Sequence, residues 1–286
     1  MPIRTNFLQK TLKKSQYRTF LMLKRIFQTI GAGVRNSGKQ TVFVAGVQRS
    51  GTNMMMNVLE RSFETDTYHE RDPRAFEHYE MRPPEVIRHL IDKSPAPSVV
   101  IKALCELQDL STLLNVFAPA KAIWMVRDFN DVVNSHLHLW TGMPETIRRI
   151  VEDGDTAGWR GRGMSDETRT LLREHYHAGL DIPSACALFW YFRNVLFFEQ
   201  RLDRDSRVRA VCYEHLVTHP HEMFGSVFSF LGLRYTPRVS RKVFASSVRK
   251  ATPPTIEPAI RQLCEQLSAR FDHVMMPVSG HAAKAG

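Results

Sequence analysis

A chain of 286 residues with 43% hydrophobic content is long enough for one large α/β core or at most two modest domains. Its formal charge of +10 and isoelectric point near 9.7 call for acidic partners, a class that takes in nucleic acid, an anionic membrane surface and an anionic cofactor or substrate. No stretch approaches the roughly 18–20 apolar residues of a membrane span, and no secretory leader is recognisable, so a cytoplasmic protein is expected.

Residues 1–40 interleave Lys10, Lys13, Lys14, Arg18, Lys24, Arg25 and Arg35 with Phe7, Leu8, Tyr17, Phe20, Leu21, Leu23, Ile26 and Phe27. This pattern predicts a basic amphipathic helix, ended by the glycine-containing linker at 31–38. It fits a helix lying peripherally on an anionic membrane. The preferred expectation is a docking helix whose apolar stripe covers the core and whose charges are solvated.

Thr41-Val42-Phe43-Val44-Ala45 reads as a strand buried on both faces. Gly46-Val47-Gln48-Arg49-Ser50-Gly51-Thr52-Asn53 breaks it, and Met54, Met55, Val58 and Leu59 then recur at helical spacing. Such a loop leaves amide groups unpaired at the positive end of a helix, where an anion binds. It has the glycine spacing of a nucleotide-triphosphate P-loop, but Thr52-Asn53 replaces the Lys-Ser/Thr that reaches phosphate and magnesium. Arg49 supplies a guanidinium inside the loop instead.

Residues 65–80 form a polar segment rich in acids and in His and Tyr side chains. A helix is predicted over 82–92, started by Pro83-Pro84, and a second buried strand over 98–101, ending at Lys102 on the edge where open parallel sheets bind ligands. A crossover helix over 107–117 leads to a third strand at 121–126, which runs into the turn and helix of Arg127-Asp128-Phe129-Asn130-Asp131-Val132-Val133-Asn134-Ser135. Residues 140–182 read as an insertion able to fold over a substrate, without sustained periodicity before a helix at 166–176. An aromatic-rich helix over 185–201, a strand over 208–213, a helix over 222–231 stopped by Gly232, and a helix over 256–270 complete the chain. The four cysteines, Cys105, Cys186, Cys212 and Cys264, show no C-x-x-C spacing and read as buried free thiols. Strands alternating with helices predict an α/β, P-loop-type three-layer fold with a central parallel sheet flanked by helices, residues 41–286 forming one domain.

Three separated segments resemble one family, the sulfotransferases that use 3′-phosphoadenosine 5′-phosphosulfate (PAPS). Val47–Leu59 is similar to its 5′-phosphosulfate loop. Met125–Ser135 is similar to its 3′-phosphate motif, an arginine and a serine eight residues later, here Arg127 and Ser135. Val211–Leu231 resembles its later strand and helix, with Tyr213 in the position near the nucleotide. The Arg-Ser-Gly-Thr form of the loop is most like the tyrosylprotein and bacterial branches. In the tyrosylprotein branch a glutamate about twenty residues past the loop arginine is the base and a lysine ends the next strand; Glu70 and Lys102 match these positions. Asn53 and Met54 depart from the residues common after Gly-Thr, and the Arg-Lys-Gly signature of cytosolic members is absent, leaving the segment that ends in Lys250 to close over the cofactor.

The resemblance implies sulfuryl transfer to an acceptor hydroxyl without a divalent metal. Arg49 and Lys102 would face the sulfate and the bridging oxygen, the Ser50-Gly51-Thr52-Asn53 turn the 5′-phosphate, and Arg127 with Ser135 the 3′-phosphate. Glu70 would take the acceptor proton, with His69 and Glu77 as alternatives. Two other classes stay open: a P-loop kinase of small molecules, for which Asp128 follows a strand but is preceded by Arg127 and lacks its loop partner, and a basic nucleic-acid-binding protein, for which no recognised motif or stacking platform is present. His136 and His138 do not make a metal site by themselves.

Overall fold

The computed structural model describes residues 17, 19–30, 39–137, 139, 141–245, 248 and 251–275. In chain order these form a helix over residues 19–30 (α1), β1 (Gln40–Gly46), α2 (Thr52–Glu60), β2 (Thr65–Tyr68), the short hairpin strands β3 (Phe76–Glu77) and β4 (Glu80–Met81), α3 (Pro84–Lys93), β5 (Ser98–Ala103), α4 (Leu110–Val116), β6 (Ala120–Val126) and α5 (Phe129–Leu137). There follow α6 (Met143–Asp153), α7 (Asp166–His175), α8 (Ile182–Glu199), β7 (Val208–Cys212), α9 (Tyr213–Thr218), α10 (Pro220–Leu231), α11 (Pro237–Ser240) and α12 (Pro258–Met275).

The five-stranded sheet runs in the order β2-β5-β1-β6-β7, and every pairing in it is parallel. Because side chains alternate across a strand, each central strand feeds two cores. Phe43, Ala45, Ile101, Ala122 and Trp124 face one, packed by α8 with Phe189, Trp190, Phe192 and Phe197; Val42, Val44, Val100, Ile123 and Met125 face the other, under α2 and α10. Each fully buried aromatic or branched side chain contributes about 1.5–3 kcal/mol, so the two faces together hold the sheet rigid at its centre. This is the expected three-layer α/β architecture. Among the described residues no helix is long and apolar enough to cross a membrane.

The strand order places the site. The chain leaves β1 to one side for β2 and β5 and to the other for β6 and β7, so the loop after β1 lies at the topological switch, at the carboxyl edge where such sheets bind ligands. Gly46, which ends β1 at φ 139°, is needed there because a Cβ would stand 2.6 Å from the Met125 carbonyl oxygen.

Two expectations are corrected, and the 65–80 segment gains its secondary structure. The 65–80 segment contains β2 and the β3–β4 hairpin; β2 is an edge strand whose central residues Asp66 and Thr67 stay half-exposed, so no apolar run announces it. The 140–182 insertion carries α6 as well as α7, and Met143, Ile147, Ile150 and Leu172 bury into the core against α8. Helix α1 docks with the opposite face from the one expected: Lys24 and Gln28 are buried while Met22, Leu23, Ile26, Phe27 and Ile30 are exposed. Residues 1–16, Arg18, residues 31–38, His138 and Lys250 lie outside the described residues.

Candidate active site

Each strand of the sheet delivers one site element at its carboxyl end: β1 the Arg49 loop, β2 Glu70, β5 Lys102, β6 Arg127 and β7 Tyr213. In the loop, Arg49 adopts φ 71° and Gly51 φ 94°, and the Ser50 amide turns back to the Val47 carbonyl at 3.1 Å. Gly51 then caps α2 with no side-chain hydrogen bond and with no acid in the first turn. The amides of Thr52 and Asn53 are therefore left at a positive helix end, and a Cβ on Gly51 would lie 2.4 Å from Cδ2 of Tyr213, so the loop presses backbone against that ring. The Ser50 hydroxyl is buried with no hydrogen-bond partner among the described residues. This cradle fits a phosphate.

A cleft of ≈ 380 Å³ joins the loop to the β6–α5 turn, with Arg49, Gly51, Thr52, Arg127, Ser135 and Tyr213 among its walls. Arg49 Nε donates to Ser135 Oγ at 2.8 Å, and Arg127 Nη1 donates to the Arg49 carbonyl at 3.1 Å. The Arg127 guanidinium lies 4.5 Å from the Tyr213 ring centroid and pairs with Asp131, four residues on, at 3.6 Å. Trp190 Nε1 donates to the Arg127 carbonyl at 3.3 Å. Behind Ser135, the fully buried His136 ring is pushed down to about 4 by burial and by the charge of Arg49, against a backbone contact with Gln48, and stays neutral.

At the adjoining end, Lys102 is 2% exposed, its Nζ 2.8 Å from Glu70 Oε1 and 2.8 Å from Asn53 Oδ1. Burial pulls the Lys102 ammonium below its ordinary value against the support of Glu70. Burial alone would raise the Glu70 carboxyl, but the hydrogen bond and charge of Lys102 outweigh it and hold the group below the usual carboxylate range. The two alternatives for a base stand elsewhere: His69 faces Glu60 at 3.9 Å, and Glu77, 64% exposed, pairs with Arg82 at 3.7 Å.

Of the expected site residues, Arg49, Gly51, Thr52, Asn53, Arg127, Ser135 and Tyr213 share the cleft, and Glu70 and Lys102 join it through Asn53. Asn53, expected to contribute its amide, also uses its side chain on Lys102. Sequence reasoning passed over Asn134, whose amide nitrogen donates to the Thr252 carbonyl at 3.1 Å and ties the C-terminal segment to the cleft. Asp128, the carboxylate a kinase would need, instead accepts from the Asp131 amide at 3.1 Å and caps α5. Among the described residues no group of three or more His, Cys, Asp or Glu is gathered as a metal site.

The site is a cationic cleft at the carboxyl edge of an α/β parallel sheet. The sulfotransferase domain family model matches residues 39–252, and the chain belongs to that family, enzymes that transfer a sulfuryl group from PAPS. Solved structures similar to it include the sulfotransferase domain of the curacin biosynthetic pathway (13% identity over 81% of this chain and 99% of that one, TM-score 0.49). A sulfotransferase from Alicyclobacillus acidocaldarius (16% identity, 83% and 93% covered, TM-score 0.46) and mouse SULT7A1 complexed with PAP (14% identity, 86% and 89% covered, TM-score 0.45) are similar as well. No curated protein matches the chain. The solved structures are distant, and no residue assignment rests on them. The family match supports neither the kinase nor the nucleic-acid reading.

Proposed function

We propose that this sulfotransferase moves its sulfuryl group to an acceptor hydroxyl through the residues gathered at the cleft, without a divalent metal. The observation that carries the reading is the 2.8 Å hydrogen bond from Arg49 Nε to Ser135 Oγ, which makes two cationic cradles the walls of one cleft. The α2 amides with Arg49 would hold the 5′-phosphosulfate end of PAPS, and Arg127 with Ser135 the 3′-phosphate, Asp131 and Tyr213 fixing the Arg127 plane. PAPS supplies an activated sulfuryl group whose departure leaves a phosphate oxygen.

The chain's own part is orientation, charge and one proton. Glu70 accepts the proton of the acceptor hydroxyl as its oxygen bonds to sulfur and the sulfur–oxygen bond to the phosphate breaks. Lys102 places its ammonium on the oxygen that leaves, and Arg49 spreads the charge of the transferring group. As Lys102 turns toward that oxygen, the cation holding Glu70 acidic withdraws, and the carboxylate becomes a stronger base when the proton arrives. Guanidinium, ammonium and helix amides together supply the field that a metal would otherwise provide.

Four free cysteines support a reducing, cytoplasmic setting, and residues 41–286 are read as one catalytic unit. The test is transfer of radiolabelled sulfate from PAPS to a panel of phenol, saccharide, tyrosyl peptide and lipid alcohol, with and without EDTA. Transfer to one hydroxyl class that survives EDTA supports the proposal; transfer that stops on chelation contradicts it.

A further inference from the structure

Helix α1 is attached by its polar residues and by the edge-to-face rings of Phe20 and Phe27 on Phe63, at 5.7 and 5.3 Å. Lys24 Nζ donates to the Glu60 carbonyl at 2.5 Å, and Gln28 Nε2 donates to the carbonyls of Phe63 and Thr65 at 3.1 and 2.8 Å. These bonds cap backbone left open where α2 ends and β2 begins, and they fix which way the helix is turned. The opposite face carries Met22, Leu23, Ile26, Phe27 and Ile30, with exposures from 47% to 71%. At helical spacing these five positions form one stripe about 140° wide. A stripe of this kind left in water is a docking face.

Its charge setting narrows the partner. Residues 1–40 contain nine Lys or Arg and no Asp or Glu. A second copy of the chain would have to bring two such segments together, like charge against like charge. A bilayer surface bearing anionic headgroups offers apolar depth and negative charge in one plane. We propose that the Met22–Ile30 stripe of α1 seats on the surface of an anionic phospholipid bilayer, with the exposed Arg25 beside the stripe on its headgroups. The attachment lies at Glu60, Phe63 and Thr65, the opposite ends of α2 and β2 from Thr52 and Glu70, so the cleft stays open to solution while the helix is seated.

The experiment is co-sedimentation of the full chain with vesicles of phosphatidylcholine alone and of phosphatidylcholine with roughly one third phosphatidylserine. Partitioning at least ~10-fold stronger onto the anionic vesicles is expected, falling ~10-fold or more in the Met22→Glu/Ile30→Glu variant. The milder Met22→Gln/Ile26→Gln pair should fall less, and both should keep the parent melting temperature. Equal partitioning onto the two vesicle types, no partitioning, or partitioning that neither variant alters would overturn the proposal. So would a dimer in light scattering that the variants split, without vesicle binding, since the stripe would then belong to a second copy.

Discussion

Lys102 Nζ and Glu70 Oε1 stand 2.8 Å apart, with the lysine 2% exposed and its remaining reach taken by Asn53. A buried ammonium in this position is stabilised by the carboxylate, and the ammonium in turn holds the carboxyl below its ordinary range. Replacement tells the two effects apart. Glu70→Gln can still accept the Lys102 hydrogen bond but cannot take a proton, so turnover should fall by roughly 10²–10⁴ while bisphosphate binding and stability change little. Glu70→Ala strips Lys102 of its charge partner and should lower denaturation midpoint as well as turnover. If Glu70→Gln keeps parent turnover, the proton goes elsewhere.

Arg49 and Arg127 line the same cleft, and the proposed function sets them at different ends of the nucleotide. Arg49→Ala should lower turnover and leave adenosine 3′,5′-bisphosphate affinity within a few-fold of the parent. Arg127→Ala should weaken the bisphosphate itself by roughly 1.5–3 kcal/mol, the worth of a charged hydrogen bond. Calorimetry on the two variants separates these outcomes, and equal losses of affinity in both would argue against two distinct cradles.

Gly51 tests the loop. Its φ of 94° and the 2.4 Å approach of a built Cβ to the Tyr213 ring leave no room for a side chain. Gly51→Ala should cost roughly 1–3 kcal/mol of stability and much of the bisphosphate affinity. Adding Tyr213→Ala removes the clash but not the backbone strain, so the double variant should recover part of the stability and none of the parent's affinity. Unfolding curves and calorimetry on the pair would show this; an unimpaired Gly51→Ala would mean that the loop adjusts freely.

Two buried groups titrate in opposite senses. His136 is pushed from its ordinary 6.5 down to about 4, first by burial, so its unfolded form takes a proton before its folded form does. Stability tied to it is complete above pH 6.5 and is lost as pH falls toward 4, by about 3 kcal/mol at the limit. Glu106 is pushed up to about 7, first by burial, so its contribution is complete below pH 4.5 and is lost as pH rises through 7. The two offset one another in the parent. His136→Leu should therefore lose stability from pH 4.5 to 7, and Glu106→Gln should gain it over the same range. Denaturant titrations of both variants at these two pH values check the signs; parallel curves would refute them.

Much of the frame was legible because β1, β5 and β6 are apolar runs buried between two cores, and periodicity finds such strands; β7, a half-buried edge strand, keeps enough of that pattern to be legible too. β2 was not, since an edge strand with Asp66 and Thr67 half-exposed has no such run. The signal of α6 lies in the spacing of Met143, Ile147 and Ile150, on the flank of a glycine-rich stretch that has no such period. The face on which α1 docks could not be read locally. It is decided by where Lys24 and Gln28 find open carbonyls, and those belong to residues 35 to 37 positions further along. The same holds at the cleft: Arg127 and Ser135 are linked by their spacing, whereas the contacts from Lys102 to Asn53 and from Tyr213 to Gly51 arise only when β5, β7 and α2 are brought together.

The most direct test of the two-cradle cleft is the melting temperature of the parent chain in EDTA with adenosine 3′,5′-bisphosphate, compared with ATP and magnesium. A rise with the bisphosphate that Arg127→Ala abolishes, and a smaller rise with ATP and magnesium, is the predicted result. Equal stabilisation by the two ligands, or a bisphosphate effect that survives Arg127→Ala combined with Ser135→Ala, would contradict it.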